Sequence, residues 1–374
     1  MRTLLVTGAC GYLGSHTCLE LLKTGYSLIA LDNFQNSSPE SLLRVAVLAG
    51  LGDMTEVTEG HWQANGGRGQ QLDLIQGDIR CADHLRRCFE LAVRIDAVIH
   101  FAGLKSVAES TAFPLSYWEV NVGGTCTLLR SMIDHNCKTL VFSSTATIYG
   151  EAEKIPIPEN SPIQPINPYG TSKAAVEQIL SDLERSDGEW KIACLRYFNP
   201  VGAHPSGMIG EDPRNPPTNL FPLLLEVASG ERTSLRVFGS DWPTPDGTGI
   251  RDYIHVLDLA EAHRISLELL LEEPPQLLTL NLGSGKGYSV LEMVSTLERT
   301  CDCQVPTELV SRREGDSAIS IADCSEAWAR LGWRATRSLE DICRDGFLWK
   351  RQNPAGYESG VTMRLPSAAP GAGT

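Results

Sequence analysis

The strongest constraint in the chain is at its start. A short apolar run, Thr3–Thr7, leads into Gly8-Ala9-Cys10-Gly11-Tyr12-Leu13-Gly14. A helical pattern follows through Thr17, Leu19, Leu21 and Leu22 and stops at Gly25. A second apolar run, Tyr26–Leu31, then ends on Asp32. Strand, glycine-rich turn, helix and strand in that order open a doubly wound parallel sheet, which is an α/β fold. The glycines allow a tight turn and close approach of a pyrophosphate to a helix N-terminus, where free N–H groups and the dipole favour negative charge. Asp32 stands 18 residues after Gly14. A carboxylate there accepts from a ribose 2′-hydroxyl and repels a 2′-phosphate, which favours NAD over NADP. Asp78-Ile79 follows another strand and suits the adenine or a plain strand end.

The alternation continues. Leu72–Gln76, Ala97–Phe101, Thr139–Ser143 and Ile192–Tyr197 read as strands. Ala82–Arg94, Pro114–Asn136 and Tyr169–Arg185 read as helices. This spacing predicts a parallel sheet covered on both faces. Past about residue 200 Pro and Gly become dense and the rhythm breaks. A smaller second lobe is expected there, with helices near Leu220–Ser229, Val256–Leu271 and Val290–Thr300. The division is residues 1–198 for a dinucleotide-binding domain and 199–357 for a substrate lobe with some elements shared. Residues 358–374 are expected to be a disordered tail. Gly50–Gln71 is polar and reads as a surface insertion.

With 374 residues, two such units are what the length allows. The net charge of −14 argues against a nucleic-acid binder, which needs a basic face. It does not exclude a small anionic ligand held by local cations. No run is long and apolar enough for a membrane span, and the N-terminus lacks the features of a signal peptide. The eleven cysteines then read as reduced thiols in the cytoplasm. Cys301 and Cys303 lack further ligands at zinc spacing, so no metal is expected.

Two further groups carry chemistry. Tyr169 and Lys173 are one helical turn apart and share a face. A free tyrosine is phenolate in only about one molecule in a thousand at pH 7. A nearby ammonium and a positively charged nicotinamide lower its pKa, and a shift of three units corresponds to about 4 kcal/mol. The result is a general base for a substrate hydroxyl. The same spacing also suits a helix with a half-buried Tyr and an exposed Lys. Ser143-Ser144-Thr145 follows a strand at the end where doubly wound sheets bind ligand. Thr145 can bond the oxygen that Tyr169 deprotonates, or simply cap a turn.

Thr7–His16, Asp32-Asn33, His100–Ser110, Ser143–Gly150, Pro168–Lys173 and Arg196–Ser206 resemble the extended short-chain dehydrogenase/reductase family. Within it they resemble the 4-epimerases of UDP-hexoses. Asp246–Asp258, Asn281–Gly285 and Arg312–Asp316 carry the resemblance into the second lobe. It implies interconversion of UDP-glucose and UDP-galactose through a 4-keto sugar. Tyr169 takes the 4-hydroxyl proton, Thr145 shares that hydrogen bond, and tightly bound NAD takes the hydride and returns it to the other face. A homodimer built on the helices at Pro114–Asn136 and Tyr169–Arg185 is also implied.

By position, the resemblance assigns Tyr12, Leu13, Asp32, Asn33, Asn36, Ser37, Asp78, Ile79, Phe101, Ala102, Gly103, Lys105, Asn121, Lys173 and Tyr197 to NAD, beside Gly8, Gly11 and Gly14. It assigns Lys105, Thr145, Tyr169, Phe198, Asn199, Asn219, Leu220, Arg236, Val237, Phe238, Arg251, Arg313, Asp316 and Ser320 to the nucleotide sugar. Arg251 and Arg313 would hold the diphosphate. Read alone, Arg251-Asp252 equally suits a surface ion pair. Ser320 stands where the bacterial type often carries a bulky Tyr, and a small residue there is associated with N-acetylhexosamines, so UDP-GlcNAc and UDP-GalNAc are possible further substrates. A dehydratase or decarboxylase on the same scaffold is the near alternative. Dehydratases place an Asp-Glu pair after the Thr145 position, whereas this chain has Ala146-Thr147. The other alternative is a non-catalytic NAD-binding redox sensor, a class that commonly loses the Tyr or Lys kept here.

Overall fold

A computed structural model of the chain describes residues 1–313 and 316–358. The expectation for the tail therefore falls, after Glu358, outside the described residues. The first half runs β1 (Thr3–Thr7), α1 (Tyr12–Lys23), β2 (Ser27–Asp32), α2 (Glu40–Leu48), β3 (Thr55–Thr58), β4 (His61–Asn65) and β5 (Gln71–Gln76). It continues through α3 (Ala82–Glu90), β6 (Ala97–His100), α4 (Val107–Ala112), α5 (Pro114–Tyr117), α6 (Thr125–Asp134), β7 (Thr139–Thr145), α7 (Pro168–Ser186) and β8 (Lys191–Tyr197).

The second half begins with β9 (Asn199–Val201), α8 (Leu220–Ala228), β10 (Leu235–Phe238), β11 (Ile250–Arg251) and β12 (Tyr253–His255). Then come α9 (Val256–Glu272), β13 (Gln276–Leu282), β14 (Tyr288–Ser289) and α10 (Val290–Cys301). It closes with β15 (Thr307–Val310), β16 (Ile319–Ser320), α11 (Ser325–Leu331) and α12 (Leu339–Gln352).

The main sheet has nine strands in the order β13-β8-β7-β6-β1-β2-β5-β4-β3. From β13 to β5 all neighbours are parallel. Alternate residues of its strands feed two cores. Leu4 and Val6 pack with Leu19, Leu22, Leu259 and Leu267 on one face. Leu5 packs with Leu128, Leu140, Val176 and Leu180 on the other. The strand order reverses between β1 and β6, and the crevice beyond their carboxyl ends is where such sheets take ligands.

Gly50–Gln71 is more than a surface loop. It supplies β4, which pairs antiparallel with β5, and β3, which pairs antiparallel with β4 at the sheet edge. Hydrogen-bonding side chains hold it there, because His61 and Gln63 both reach the buried Asp73 carboxylate, at 2.8 and 3.0 Å. The helix expected over Pro114–Asn136 runs from Pro114 to Asp134 and changes pitch on the way. Trp118–Gly124 is a π-helical turn between α5 and α6. Such turns often mark functional sites, and this one sets the inward-facing Asn121.

The second half does not stay apart from the first. α9 packs against α1, and β13 joins the main sheet beside β8. The rest forms small sheets, β10 with β15, β11 with β14 and β16, and β9 with β12. Their core holds Phe221, Leu224, Val237, Met293, Leu297 and Ile342. Capping boxes start α10 (Ser289 with Glu292) and α12 (Ser338 with Asp341), so both helices begin where the sequence dictates.

Candidate active site

Two glycines at the crevice leave no room for a side chain. Gly8 has φ +67, and a Cβ on it would lie 2.6 Å from the Ala102 nitrogen. A Cβ on Gly14 would lie 2.2 Å from the Gly8 oxygen. Gly11 is the N-cap of α1, has no side-chain cap, and the first turn carries no acidic residue. The free N–H groups there suit a diphosphate. Asp32 is 7% exposed. Its Oδ1 accepts from Phe34 N (2.9 Å) and Ser37 Oγ (2.7 Å), and its Oδ2 from Cys10 N (2.9 Å). These bonds fix the carboxylate at the end of β2 beside the glycine turn, where an acceptor for a ribose hydroxyl is needed. Burial raises the Asp32 pKa, and its hydrogen bonds oppose that. This cradle and its acceptor fit NAD.

Several other residues assigned to NAD have hydrogen-bonding or packing commitments of their own. Asn33 donates to Asp78 Oδ2 at 3.1 Å, and Arg80 grips that carboxylate with two nitrogens, holding it well below the usual range. The Ile79 side chain is buried in the core, so only its backbone faces the cleft. Asn121 spends its amide on structure. It accepts from Leu104 N at 2.7 Å and donates to Leu104 O at 3.1 Å and Ser172 Oγ at 3.0 Å. That ties the loop at Gly103 to α7. The Tyr197 hydroxyl is committed to His263 Nε2 at 2.8 Å.

Asn167 caps α7 by accepting from Gly170 N at 2.9 Å, and Pro168 begins the helix. Tyr169 therefore sits in the first turn, where the helix dipole favours an anion. Burial still raises its phenol pKa, with a side-chain hydrogen bond to Thr145 pulling the other way. Lys173 is 5% exposed, unlike the exposed Lys of the simpler helix reading. Its ammonium donates to the Ser143 carbonyl at 2.8 Å and lies 4.8 Å from the Phe142 ring centroid. Burial lowers its pKa to about 8. Burial is the largest influence on the Tyr169 phenol here, and the lowering expected from the Lys173 ammonium together with a positively charged nicotinamide is a proposal for the cofactor-bound site. Thr145 also accepts from Thr147 N at 3.2 Å and caps a turn, the plainer of its two expected parts.

Sequence reasoning passed over the support beneath this group. Glu177, one turn beyond Lys173, accepts from Ser144 Oγ and from Arg196 Nη2 at 2.6 Å. Arg196 also reaches Tyr149 OH at 2.9 Å, and Tyr149 donates to Asn281 Oδ1 at 2.6 Å. The i, i+4 spacing from Lys173 to Glu177 was the available signal; the partner across the sheet was not.

In the second lobe, Arg236 and Arg313 both lie over the Phe238 ring, at 5.4 and 4.3 Å. The Val237 side chain is buried in the lobe's core, which leaves its backbone for a ligand. Asn219 and Leu220 form the start of α8. Phe198 is buried beside Asn199, whose N–H donates to the Asp252 carbonyl at 3.0 Å. The surface ion pair between Arg251 and Asp252 is absent. Asp252 is buried and accepts from Ser284, Gly285 and Ala322. Arg251 lies 4.0 Å from Asp316 instead, and β-pairing sets Ser320 opposite it.

A family model described as the NAD dependent epimerase/dehydratase family matches residues 4–283. The chain belongs to that family. It is 47% identical over 354 residues to a UDP-glucose 4-epimerase of Dictyostelium discoideum, covering 95% of this chain and 97% of that one. Among solved structures of family members, a UDP-glucose-4-epimerase from Stenotrophomonas maltophila with bound NAD and formylated UDP-arabinopyranose superposes with a TM-score of 0.87. It is 42% identical, covering 95% of this chain and 99% of that one. The Bifidobacterium longum enzyme in complex with NAD+ and UDP gives 0.86 at 43% identity, covering 95% and 100%.

Proposed function

We propose that this protein is a UDP-glucose 4-epimerase, interconverting UDP-glucose and UDP-galactose on a tightly held NAD. The observation that carries this is Tyr169 beside Thr145 at the mouth of the glycine-walled crevice, with the Lys173 ammonium buried behind them. Bound NAD supplies the hydride acceptor and donor for C4 of the sugar and a positive ring that favours a phenolate. Tyr169 removes the proton from the 4-hydroxyl oxygen and later returns it. Thr145 holds the same oxygen. Lys173 keeps a positive charge beneath the site, and Glu177 balances it from one turn away. Arg251 and Arg313 hold the diphosphate while the hexose turns about it. Residues 1–198 form the cofactor domain and 199–357 the nucleotide-sugar lobe, with α9 and β13 shared.

The test is to purify the protein, release and identify its nucleotide, and assay UDP-galactose conversion without added NAD. Conversion with no net NADH supports the epimerase. A requirement for stoichiometric NAD with NADH accumulation points to a dehydrogenase. A water-eliminated product points to a dehydratase, a reading weakened by Ala146-Thr147. Full NAD occupancy without turnover points to a redox sensor.

The small, half-buried Ser320 favours a second activity on UDP-GlcNAc and UDP-GalNAc. Turnover of that pair that is lost in Ser320→Tyr supports it, and none at high enzyme concentration refutes it. The protein is a homodimer in this reading. Leu115, Trp118 and Ile133 are exposed, and a groove runs from Trp118 along Pro165–Pro168 to the start of α7. Light scattering decides. The eleven free cysteines fit the cytoplasm, and among the described residues no helix is long and apolar enough to cross a membrane.

A further inference from the structure

One loop of the second half touches three separate parts of the cofactor crevice. The Tyr12 hydroxyl, at the diphosphate turn, donates to the Gly202 carbonyl at 2.7 Å. The Lys105 ammonium, beyond β6, donates to Glu211 Oε1 at 2.8 Å. Asn36, beyond β2, accepts from Arg214 N at 3.1 Å. These three positions follow different strands, so residues 202–214 cross the crevice from one wall to the other.

The far side of the same loop is anchored. Tyr357 shares its hydroxyl with the Gly210 backbone at 3.2 Å, and its N–H donates to Asp212 at 2.8 Å. Asn353 donates to the Gly207 carbonyl at 2.8 Å, and Trp349 Nε1 to the Glu211 carbonyl at 3.2 Å. The buried Arg44 of α2 completes the anchor. It donates to Asn353 Oδ1 at 2.7 Å and to the Met208 carbonyl at 3.1 Å, with its guanidinium 5.1 Å from the Tyr357 ring centroid.

We propose that residues 202–214 are a strap closed across the dinucleotide, and that Glu211 and Tyr357 are positioning residues that keep NAD from exchanging. Glu211 pins the strap to the crevice through Lys105. Tyr357 pins it to the body of the protein. The physical argument is that a ligand enclosed on its open side leaves only after the strap lifts. Lifting breaks contacts at both ends together, so the cost falls on the dissociation rate. An epimerase gains from this, because a cofactor regenerated at every turnover has no need to leave. The inference rests on the reading of bound NAD given above.

The test uses the purified full-length protein with its nucleotide and measures exchange of bound NAD against excess isotopically labelled NAD. Glu211→Ala removes the partner of Lys105. Tyr357→Phe keeps the ring over Arg44 and removes the hydroxyl at Gly210. Both variants are expected to exchange at least fivefold faster than the parent. Thermal midpoints are recorded alongside, since a merely structural role lowers the midpoint and leaves the exchange rate unmoved. Exchange within fivefold of the parent in either folded variant overturns the strap alone, and if Tyr357→Phe does not fold, Glu211→Ala decides. A parent protein that neither carries nor binds NAD overturns both the strap and the epimerase reading.

Discussion

Lys173 directs its ammonium at the Ser143 carbonyl, 2.8 Å away, and so joins α7 to the end of β7 directly behind Tyr169. The lysine is a fixed internal charge. A hydrogen bond to a strand carbonyl cannot drift, and burial removes the water that would otherwise screen it.

Tyr169 is the general base of the proposed reaction. Tyr169→Phe keeps the ring and its edge contact with Tyr117, 6.4 Å between centroids. Turnover is expected to fall by about 10²- to 10⁴-fold, the usual range for a lost acid–base group. Bound NAD should remain at the parent level. Near-normal turnover would remove the base assignment.

The lowered Lys173 pKa, about 8, gives a pH signature. The charged form is the useful one and is lost as pH rises through that value. Turnover should therefore decline above about pH 8 with the loss of one proton. The residual activity of Lys173→Met should show no such decline. A profile flat to pH 9.5 in the parent would show that the lysine charge does not matter.

Gly14→Ala places a methyl 2.2 Å from the Gly8 oxygen and 2.8 Å from the Ala9 Cα, and both neighbours belong to backbone that cannot step aside. Overpacking of this kind costs about 1–3 kcal/mol. The variant is expected to lose stability in a denaturant titration and to purify without NAD. Gly188→Ala, where a Cβ meets nothing within 4 Å, is the control and should change stability by less than about 0.5 kcal/mol. Equal behaviour of the two would contradict the close approach at Gly14.

Buried histidines set the response to acid. His16 and His100 have pKa values lowered to about 3 and His263 to about 4, each chiefly by burial. Their unfolded pKa is about 6.5. Between about pH 6.5 and 4 the unfolded chain binds more protons than the folded one, so stability falls as pH falls. Each histidine contributes a slope of up to about 1.4 kcal/mol per pH unit. Asp32 and Asp252, whose pKa values burial raises, act in the opposite direction at the acid end. Urea midpoints from pH 7 to pH 5 should decline steadily, and a constant midpoint would show that these rings stay accessible to protons in the fold.

Most of the architecture was legible along the chain because its determinants are local. Alternating apolar runs and glycine turns specify parallel strands and crossover helices, and Asn167-Pro168 starts α7 so that Tyr169 and Lys173 share a face. The short strands of the second lobe and the helices α2, α4, α11 and α12 were not read along the chain, and two further features show why such elements escape. The Gly50–Gln71 stretch carries few apolar residues, and its two strands are held by His61 and Gln63 on a carboxylate of the next strand. The π-helical turn at Trp118–Gly124 leaves no periodic signature distinct from a continuous helix.

By itself the sequence determined the alternation of the main parallel strands and their crossover helices, the glycine turn, the acid at the end of β2 and the residue types of the site. Each depends on neighbours a few positions apart, through backbone freedom, helical spacing or strand alternation. Tertiary structure alone decided which charges meet. It buried Lys173 against Ser143, took Asp252 away from Arg251, and brought Glu211 to Lys105 across 106 positions of chain. Those pairings follow from the packing of whole layers, and burial then sets what each charge costs and which proton it keeps.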